Sequence, residues 1–170
     1  MKPFRLLTPL EWRQRGVWRS AYDLSSAGEP VGEMRPRKWW SGDAIFTTTA
    51  DEWTFASVGT WRPRVIVRSR SGGEVALFHP DTWNSGGHLD FGPGRHFQIF
   101  SHPWKFRIEV RRGDSPTPIV TANARGVFRT GATLDIHPSL ESDPEAPVLV
   151  AFSFYRLIDV QNSSAIATTA

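Results

Sequence analysis

Three tryptophans recur at a constant interval in this 170-residue chain, and that interval constrains the fold more than any other feature. Trp18, Trp61 and Trp104 are 43 residues apart both times, although the chain has only 8 tryptophans. Repeats of this length are typical of folds in which each copy is one supersecondary unit. Three copies are therefore predicted, at about 17–58, 60–102 and 103–138. Five further apolar sets follow at intervals of 43 to 45 residues: Tyr22, Val65 and Ile108; Leu24, Val67 and Val110; Val31, Val75 and Ile119; Trp40, Trp83 and Phe128; Ile45, Leu89 and Leu134.

Within each unit apolar and polar residues alternate, which is the pattern of a half-buried β-strand. The segment 105–111 places Phe106, Ile108 and Val110 on one face and charged residues on the other. Turn-forming glycine, proline and serine separate such segments, so we predict four short strands per unit. In the second unit these strands fall at about 61–70, 74–79, 87–91 and 95–100.

The third unit contains only three strands, and the N-terminal segment is expected to supply the fourth. We favour a strand at 3–7, with 10–15 as the alternative. The sequence leaves the secondary structure of residues 8–15 open between strand and helix, because Thr8-Pro9-Leu10-Glu11 is also typical of a capped helical turn. Either strand would close the ring, so the sequence predicts a mainly β protein, a closed antiparallel barrel of about twelve strands. Such a barrel has a lumen wider than strand side chains alone can fill.

The C-terminal segment 143–160 is predicted to fill that lumen as an α-helix. Ser142 or Asp143 suits the helix N-cap, and the prolines that follow suit the first turn. The central run Val-Leu-Val-Ala-Phe-Ser-Phe-Tyr is apolar on every side, which is typical of a buried helix, although a central strand is the alternative. Barrel and helix would form one domain, 1–160, followed by a flexible tail at 161–170.

These features resemble the tubby C-terminal-like fold, and within it the bacterial side of the LURP-one-related and phospholipid-scramblase-related families. The likeness lies in Gly32-Glu33-Met34, in the Trp-x-x-x-hydrophobic-x-hydrophobic segments at Trp61 and Trp104, and in Asp143-Pro144-Glu145 before the final helix. It covers about 18–160 and consists of pattern-level marks rather than a catalytic fingerprint. The resemblance implies a barrel around a central helix, together with phosphoinositide binding, membrane association or lipid scrambling. It assigns no binding residue in this chain.

Outward strand positions are rich in arginine, and the chain has a formal net charge of +3. Arginine suits phosphate because its planar fork donates two hydrogen bonds. The alternative is a solvated wall whose cations are balanced by neighbouring carboxylates. We predict that equivalent positions of the second and third units form one patch for anionic headgroups: Arg64, Arg68, Lys105, Arg107 and Arg111.

A second cluster places cations beside aromatic rings in a predicted loop. Arg35, Arg37, Lys38 and Trp39 would form a membrane-contact loop, because tryptophan next to lysine or arginine suits a membrane interface. Trp40 belongs to the repeat instead, so it is predicted to lie in the core.

The sequence predicts no catalytic residue, no metal and no cofactor. The chain has no cysteine, and its 5 histidines lack metal-ligand spacing. It contains neither a nucleophile elbow nor a phosphate loop. Nucleic acid is a disfavoured partner, because the alternation points most aromatic rings inward, where they cannot stack on bases.

The predicted function is a non-enzymatic module that contacts anionic phospholipid, or a protein partner, through a basic outer barrel wall. Two alternatives stay open: a carrier of a small hydrophobic or acyl ligand in the lumen, and an enzyme of unknown class. No apolar run approaches the roughly 20 residues of a spanning helix, and the N-terminus lacks a secretory signal. We therefore expect a soluble cytoplasmic protein that is peripheral to a membrane.

Overall fold

The computed structural model describes residues 4–16, 21–37, 42–60, 63–82, 86–125 and 131–167. These residues form twelve β-strands, one α-helix and two short 3-10 turns, Pro103–Lys105 and Pro138–Leu140. The elements are β1 (Leu10–Gln14), β2 (Tyr22–Ser26), β3 (Glu29–Pro36), β4 (Ala44–Thr48), β5 (Glu52–Val58), β6 (Arg64–Ser69), β7 (Glu74–Pro80), β8 (Gly87–Asp90), β9 (His96–His102), β10 (Arg107–Arg112), β11 (Pro118–Arg125), β12 (Gly131–Ile136) and α1 (Ala146–Ala167).

The twelve strands of the described residues form a closed barrel in which every pairing is antiparallel. Successive strands are neighbours, and β1 closes the ring by pairing with both β12 and β2. The predicted mainly β fold, a twelve-stranded closed barrel of three four-stranded repeats around a buried C-terminal helix, is confirmed.

The closing strand is β1, so the favoured strand at 3–7 is wrong and the alternative at 10–15 is correct. The alternation of the sequence explains this outcome, because Leu10 and Trp12 point into the barrel and are each 1% exposed. The residues before β1 instead pass the end of the barrel at which α1 begins, where they line a shallow cavity with the start of the helix.

The strand register repeats three times around the barrel. A β-bulge follows the same inward residue in the first strand of each repeat, after Leu24, Val67 and Val110. In the third repeat the fourth position is occupied by Leu10, so the N-terminal strand completes that repeat. Within each repeat one row of inward residues is directly paired from strand to strand: Tyr22, Met34, Phe46 and Trp53 in the first; Val65, Phe78, Leu89 and Phe97 in the second; Ile108, Ala122, Leu134 and Leu10 in the third.

Two residues of the predicted repeat lie outside the core. Ile45 is half-buried on the outer face of β4, and its neighbour Phe46 takes the inward place beside Met34. Trp104 precedes β10 in a 3-10 turn and is 96% exposed, so in the third repeat this residue is not part of the core. The other large repeat members lie outside the described residues: Trp18, Trp40, Trp61, Trp83 and Phe128.

The predicted C-terminal helix is present as α1, which begins at Ala146 rather than at Asp143. The carboxylate of Asp143 accepts a hydrogen bond from the backbone N–H of Glu145 (2.9 Å), so the residues before Ala146 form a cap instead of a first turn. α1 also includes residues 161–167, beyond the predicted helix end at 160.

α1 lies inside the barrel, and its residues from Val148 to Tyr155 are all buried. It lies closest to β10 and β11, where inward residues are as small as Ala122. Aromatic rings fill the wider space on other sides. Centroid distances are 5.2 Å for Phe152 with Phe78, 4.5 Å for Phe154 with Trp12, and 5.4 Å for Tyr155 with Phe55.

Shortening Phe152 tests this packing. Phe152→Ala would leave a cavity among Phe55, Phe78 and Tyr155, and we expect the free energy of unfolding to fall by about 3–5 kcal/mol in denaturant titrations. Trp104→Ala, which removes an exposed ring, should change it by no more than about 0.5 kcal/mol. Equal losses for the two variants would contradict the buried position of α1.

Gly131 tests the closure between β1 and β12. A Cβ atom at Gly131 would lie 2.1 Å from the backbone oxygen of Trp12, so Gly131→Ala forces the closing strands apart. We expect a loss of about 1–3 kcal/mol in the free energy of unfolding, typical of overpacking. Gly42→Ala is the matched control, because its Cβ would have no heavy atom within 4 Å. Gly131→Ala as stable as Gly42→Ala would show that this pairing does not close the barrel.

Candidate functional site

The barrel has two chemically different ends. At one end the odd-numbered strands finish and the C-terminal half of α1 lies; we call it the basic end, after the exposed cations Arg35, Arg37, Arg64 and Lys105. At the other end the odd-numbered strands and α1 begin; we call it the acidic end, after carboxylates such as Asp143 and Glu145. Because neighbouring strands run in opposite directions, residues at the start of an even-numbered strand lie at the same end of the barrel as residues at the finish of an odd-numbered strand.

Four cations without an ion pair among the described residues and one exposed indole ring lie at the basic end. Among the described residues, no carboxylate lies within ion-pair distance of Arg35, Arg37, Arg64 or Lys105. The indole of Trp104 stands beside Lys105 and is 96% exposed. Other arginines of this end are neutralised, because Arg13 and Arg125 both pair with Glu11, and Arg15 pairs with Asp23 and Glu33.

A buried tyrosine fixes α1 at the basic end. The Tyr155 hydroxyl donates a hydrogen bond to the backbone carbonyl of Gly42 (2.9 Å). Burial, assisted by the negative charge of Asp159, raises the pKa of Tyr155 to about 12, so the hydroxyl keeps its proton at neutral pH. A cavity of about 280 Å³ opens beside this contact, lined by Tyr22, Met34 and Arg35 among others.

Carboxylates predominate at the acidic end, where two of them tie α1 to the barrel. Arg95, in the turn after β8, pairs with Glu145 (2.8 Å), and Arg112, at the end of β10, pairs with Asp143. Burial and the neighbouring Asp143 raise the pKa of Glu145, against the effect of Arg95. Negative charge suits the helix start, because the helix dipole is positive there. The carboxylates of this end are Glu29, Asp51, Glu52, Glu74, Asp90, Asp114, Glu141, Asp143 and Glu145.

On the outer face of β10, a buried carboxylate joins two arginines. Glu109 Oε1 lies 2.8 Å from Arg107 Nη2, and Glu109 Oε2 accepts a hydrogen bond from Arg111 Nη2 (2.7 Å). The Glu109 side chain is only 9% exposed, and the Arg111 guanidinium stands 4.3 Å from the centroid of the Phe100 ring. Burial acts to raise the pKa of Glu109, but the hydrogen bond from Arg111 and the charges of Arg107, Arg111 and His102 together lower it.

The structure brings together some of the predicted site residues and separates others. Arg64, Lys105 and Arg107 lie at the basic end with Arg35 and Arg37, so the two predicted clusters meet there. Lys38 and Trp39 of the predicted membrane-contact loop lie outside the described residues.

The predicted wall patch is divided by the closed ring. β6, with Arg64 and Arg68, is separated by β7, β8 and β9 from β10, with Arg107 and Arg111. Four strand spacings amount to about 19 Å across the sheet. Arg68 and Arg111 also lie towards the acidic ends of their strands. Hence the equivalent cations of the two repeats lie at the same end of the barrel but on different parts of its side wall.

Sequence reasoning missed the ion pairs that anchor α1, although it noted Asp143-Pro144-Glu145 as the start of the helix. Asp143 was recognised as a cap candidate, but its arginine partner comes from a distant strand and is found only once the barrel is known. The exposure of Trp104 was missed because the repeat suggested a structural role for it.

Other kinds of site find little support in the described residues. No three or more histidine, aspartate or glutamate side chains of this part of the chain converge as metal ligands. No helix described here is long and apolar enough to cross a bilayer.

Comparisons with protein-family models, curated proteins and solved structures gave no match. The resemblance to tubby-like proteins therefore stays a prediction.

Replacing Glu109 tests the carboxylate cluster on β10. Glu109→Gln keeps the shape but removes the charge, and we expect the free energy of unfolding at neutral pH to fall by about 1–2 kcal/mol. Because the folded pKa lies below the ordinary 4.5, the carboxylate stabilises the fold above that pH, and its contribution is lost as the pH falls through the lowered pKa. Denaturant titrations across the acid range should show the two proteins converging, and a constant difference would contradict this role.

Proposed function

We propose that the protein is a non-enzymatic module that contacts an anionic phospholipid surface through the basic end of its barrel. The observation that carries the proposal is the set of cations without an ion-pair partner among the described residues, Arg35, Arg37, Arg64 and Lys105, around an end that also exposes Trp104. Each lysine or arginine near an anionic leaflet contributes about 1 kcal/mol. The four cations of the basic end would therefore contribute a substantial part of the free energy of binding to the leaflet.

The ring geometry favours the end of the barrel over its side wall. A flat membrane touches only a narrow strip of a cylindrical wall, so cations on β6 and β10 cannot reach it together when the barrel lies on its side. When the barrel stands upright, residues at the same end meet one plane, whichever strand bears them. Trp104 adds an amphipathic ring of the kind that occupies membrane interfaces.

The acidic end supports the same orientation. Its carboxylates are repelled by an anionic surface, while the basic end is attracted, so the charge distribution favours one upright pose. The lumen is filled by α1 and by aromatic rings such as Phe55 and Phe78, which supports surface contact over carriage of an acyl chain.

Vesicle co-sedimentation with charge-reversed variants tests the proposal. Arg37→Glu combined with Lys105→Glu should weaken binding to vesicles of phosphatidylcholine and phosphatidylserine by at least about tenfold, because both attractive charges become repulsive. Wild-type binding should fall as salt is added, since exposed charges are screened, and vesicles of phosphatidylcholine alone should bind little.

A matched pair at the other end provides the control. Arg5→Glu combined with Arg70→Glu changes the net charge equally but alters exposed residues at the acidic end, so binding should change less than with the basic-end pair. The proposal fails if the wild type ignores phosphatidylserine vesicles, or if the two variant pairs lose affinity equally.

A further inference from the structure

The three repeats differ at one outward position in the first strand of each. This position holds Asp23 on β2, Ile66 on β6 and Glu109 on β10, at intervals of 43 residues. All three lie in the same register, because the β-bulge follows the next inward residue in each strand. Both carboxylates are ion-paired, Asp23 with Arg15 and Glu109 with two arginines. The second repeat has an isoleucine instead.

The third repeat shows how this position holds a carboxylate. Arg107 and Arg111 stand two residues before and after Glu109 and approach its two oxygens at 2.8 and 2.7 Å. Phe100 and Thr121 flank Glu109 on the neighbouring strands. One carboxylate thus joins two guanidinium groups on a largely desolvated outer face, an arrangement that strengthens charge-assisted hydrogen bonds.

The second repeat has the two arginines that can donate hydrogen bonds, but no carboxylate stands between them to accept these bonds. Arg64 and Arg68 stand two residues before and after Ile66, as the two arginines do around Glu109. No carboxylate of the described residues lies within ion-pair distance of either side chain. Ala56 and Leu77 flank Ile66 on the adjacent strands. We call these five residues the β6 face: two arginines around an apolar strip.

We propose that the β6 face binds a carboxylate side chain of a partner protein, with Arg64 and Arg68 taking one oxygen each as Arg107 and Arg111 do for Glu109. The partner segment would place apolar neighbours of its aspartate or glutamate on Ile66 and Leu77. A protein carboxylate fits better than inorganic phosphate, because the occupant seen on β10 is a glutamate and the strip on β6 is apolar. This site shares Arg64 with the basic end but does not rest on the proposed membrane contact, because Ile66 and Arg68 lie outside that set and the tests leave Arg35, Arg37 and Lys105 unchanged.

Backbone amide shifts measured by NMR on the full chain test the proposal. The probe is a synthetic peptide with one central glutamate flanked by leucines, compared with the same peptide carrying glutamine. The glutamate peptide should shift amides of β5, β6 and β7 and bind at least about tenfold more tightly than the glutamine peptide. Equal binding of both peptides, or no shift in these strands, would overturn the proposal. Shifts caused by inorganic phosphate but not by the glutamate peptide would do so as well.

Variants at Ile66 provide the sharpest comparison. Ile66→Glu supplies an internal carboxylate like Glu109, so Arg64 and Arg68 should be occupied and peptide affinity should fall at least about tenfold. Ile66→Gln, of similar size and without charge, weakens the apolar contact but leaves both arginines available, so it should lose clearly less affinity than Ile66→Glu. Arg64→Gln combined with Arg68→Gln removes the donors and should abolish binding, and well-dispersed spectra establish that each variant is folded. Ile66→Glu binding as tightly as the wild type would refute the site.

The third repeat allows the converse experiment. Glu109→Ile frees Arg107 and Arg111 and places an apolar residue between them, as Ile66 stands between Arg64 and Arg68, so a second site should appear. The number of glutamate peptides bound per chain should rise from one to two, with new amide shifts in β9, β10 and β11. A folded Glu109→Ile protein that still binds one peptide would show that two arginines around an apolar residue are not sufficient, and would overturn the proposal.

Discussion

Filling the lumen is the constraint on which the rest of the structure depends. Twelve strands enclose more space than their inward side chains occupy, and α1 takes up the excess. Because α1 lies nearer to β10 and β11, the three repeats cannot be alike inside. Phe78 and Ala122 hold equivalent places in the register, yet one fills open space and the other makes room for the helix. The strand pairing of the backbone therefore repeats three times, whereas the sizes of the inward side chains differ from repeat to repeat.

Much of the fold could be predicted because its signals are local or periodic. The interval of 43 residues, the alternation of apolar residues and the all-round apolarity of the C-terminal segment each appear within short windows. The N-terminal strand was harder, because Thr8-Pro9 suggests a helical start just where the alternation of Leu10 and Trp12 begins. The extension of α1 to Ala167 was missed because the polar residues 161–164 interrupt its apolar pattern.

The candidate site was less predictable, because sequence equivalence does not mean proximity in a closed ring. Arg64 and Arg107 match in the repeat, yet three other strands lie between the strands that bear them. What they share is an end of the barrel, and this depends on strand direction rather than composition. Whether an arginine can bind a partner also depends on the residue that stands between the two arginines of the strand. Glu109 neutralises Arg107 and Arg111, whereas Ile66 offers no carboxylate to Arg64 and Arg68.

The pairing of β1 with β12 has a consequence for how the protein is made. The strands that meet there lie near opposite ends of the chain, and α1 follows them both. Strands β2 to β12 can each pair with the strand before them as the chain emerges, whereas the outer edge of β1 has no partner until β12 is present. Closure of the ring therefore rests on one pairing between distant segments, Leu10 with Leu134, and the loop-closure entropy of that contact makes closure the slow step of folding.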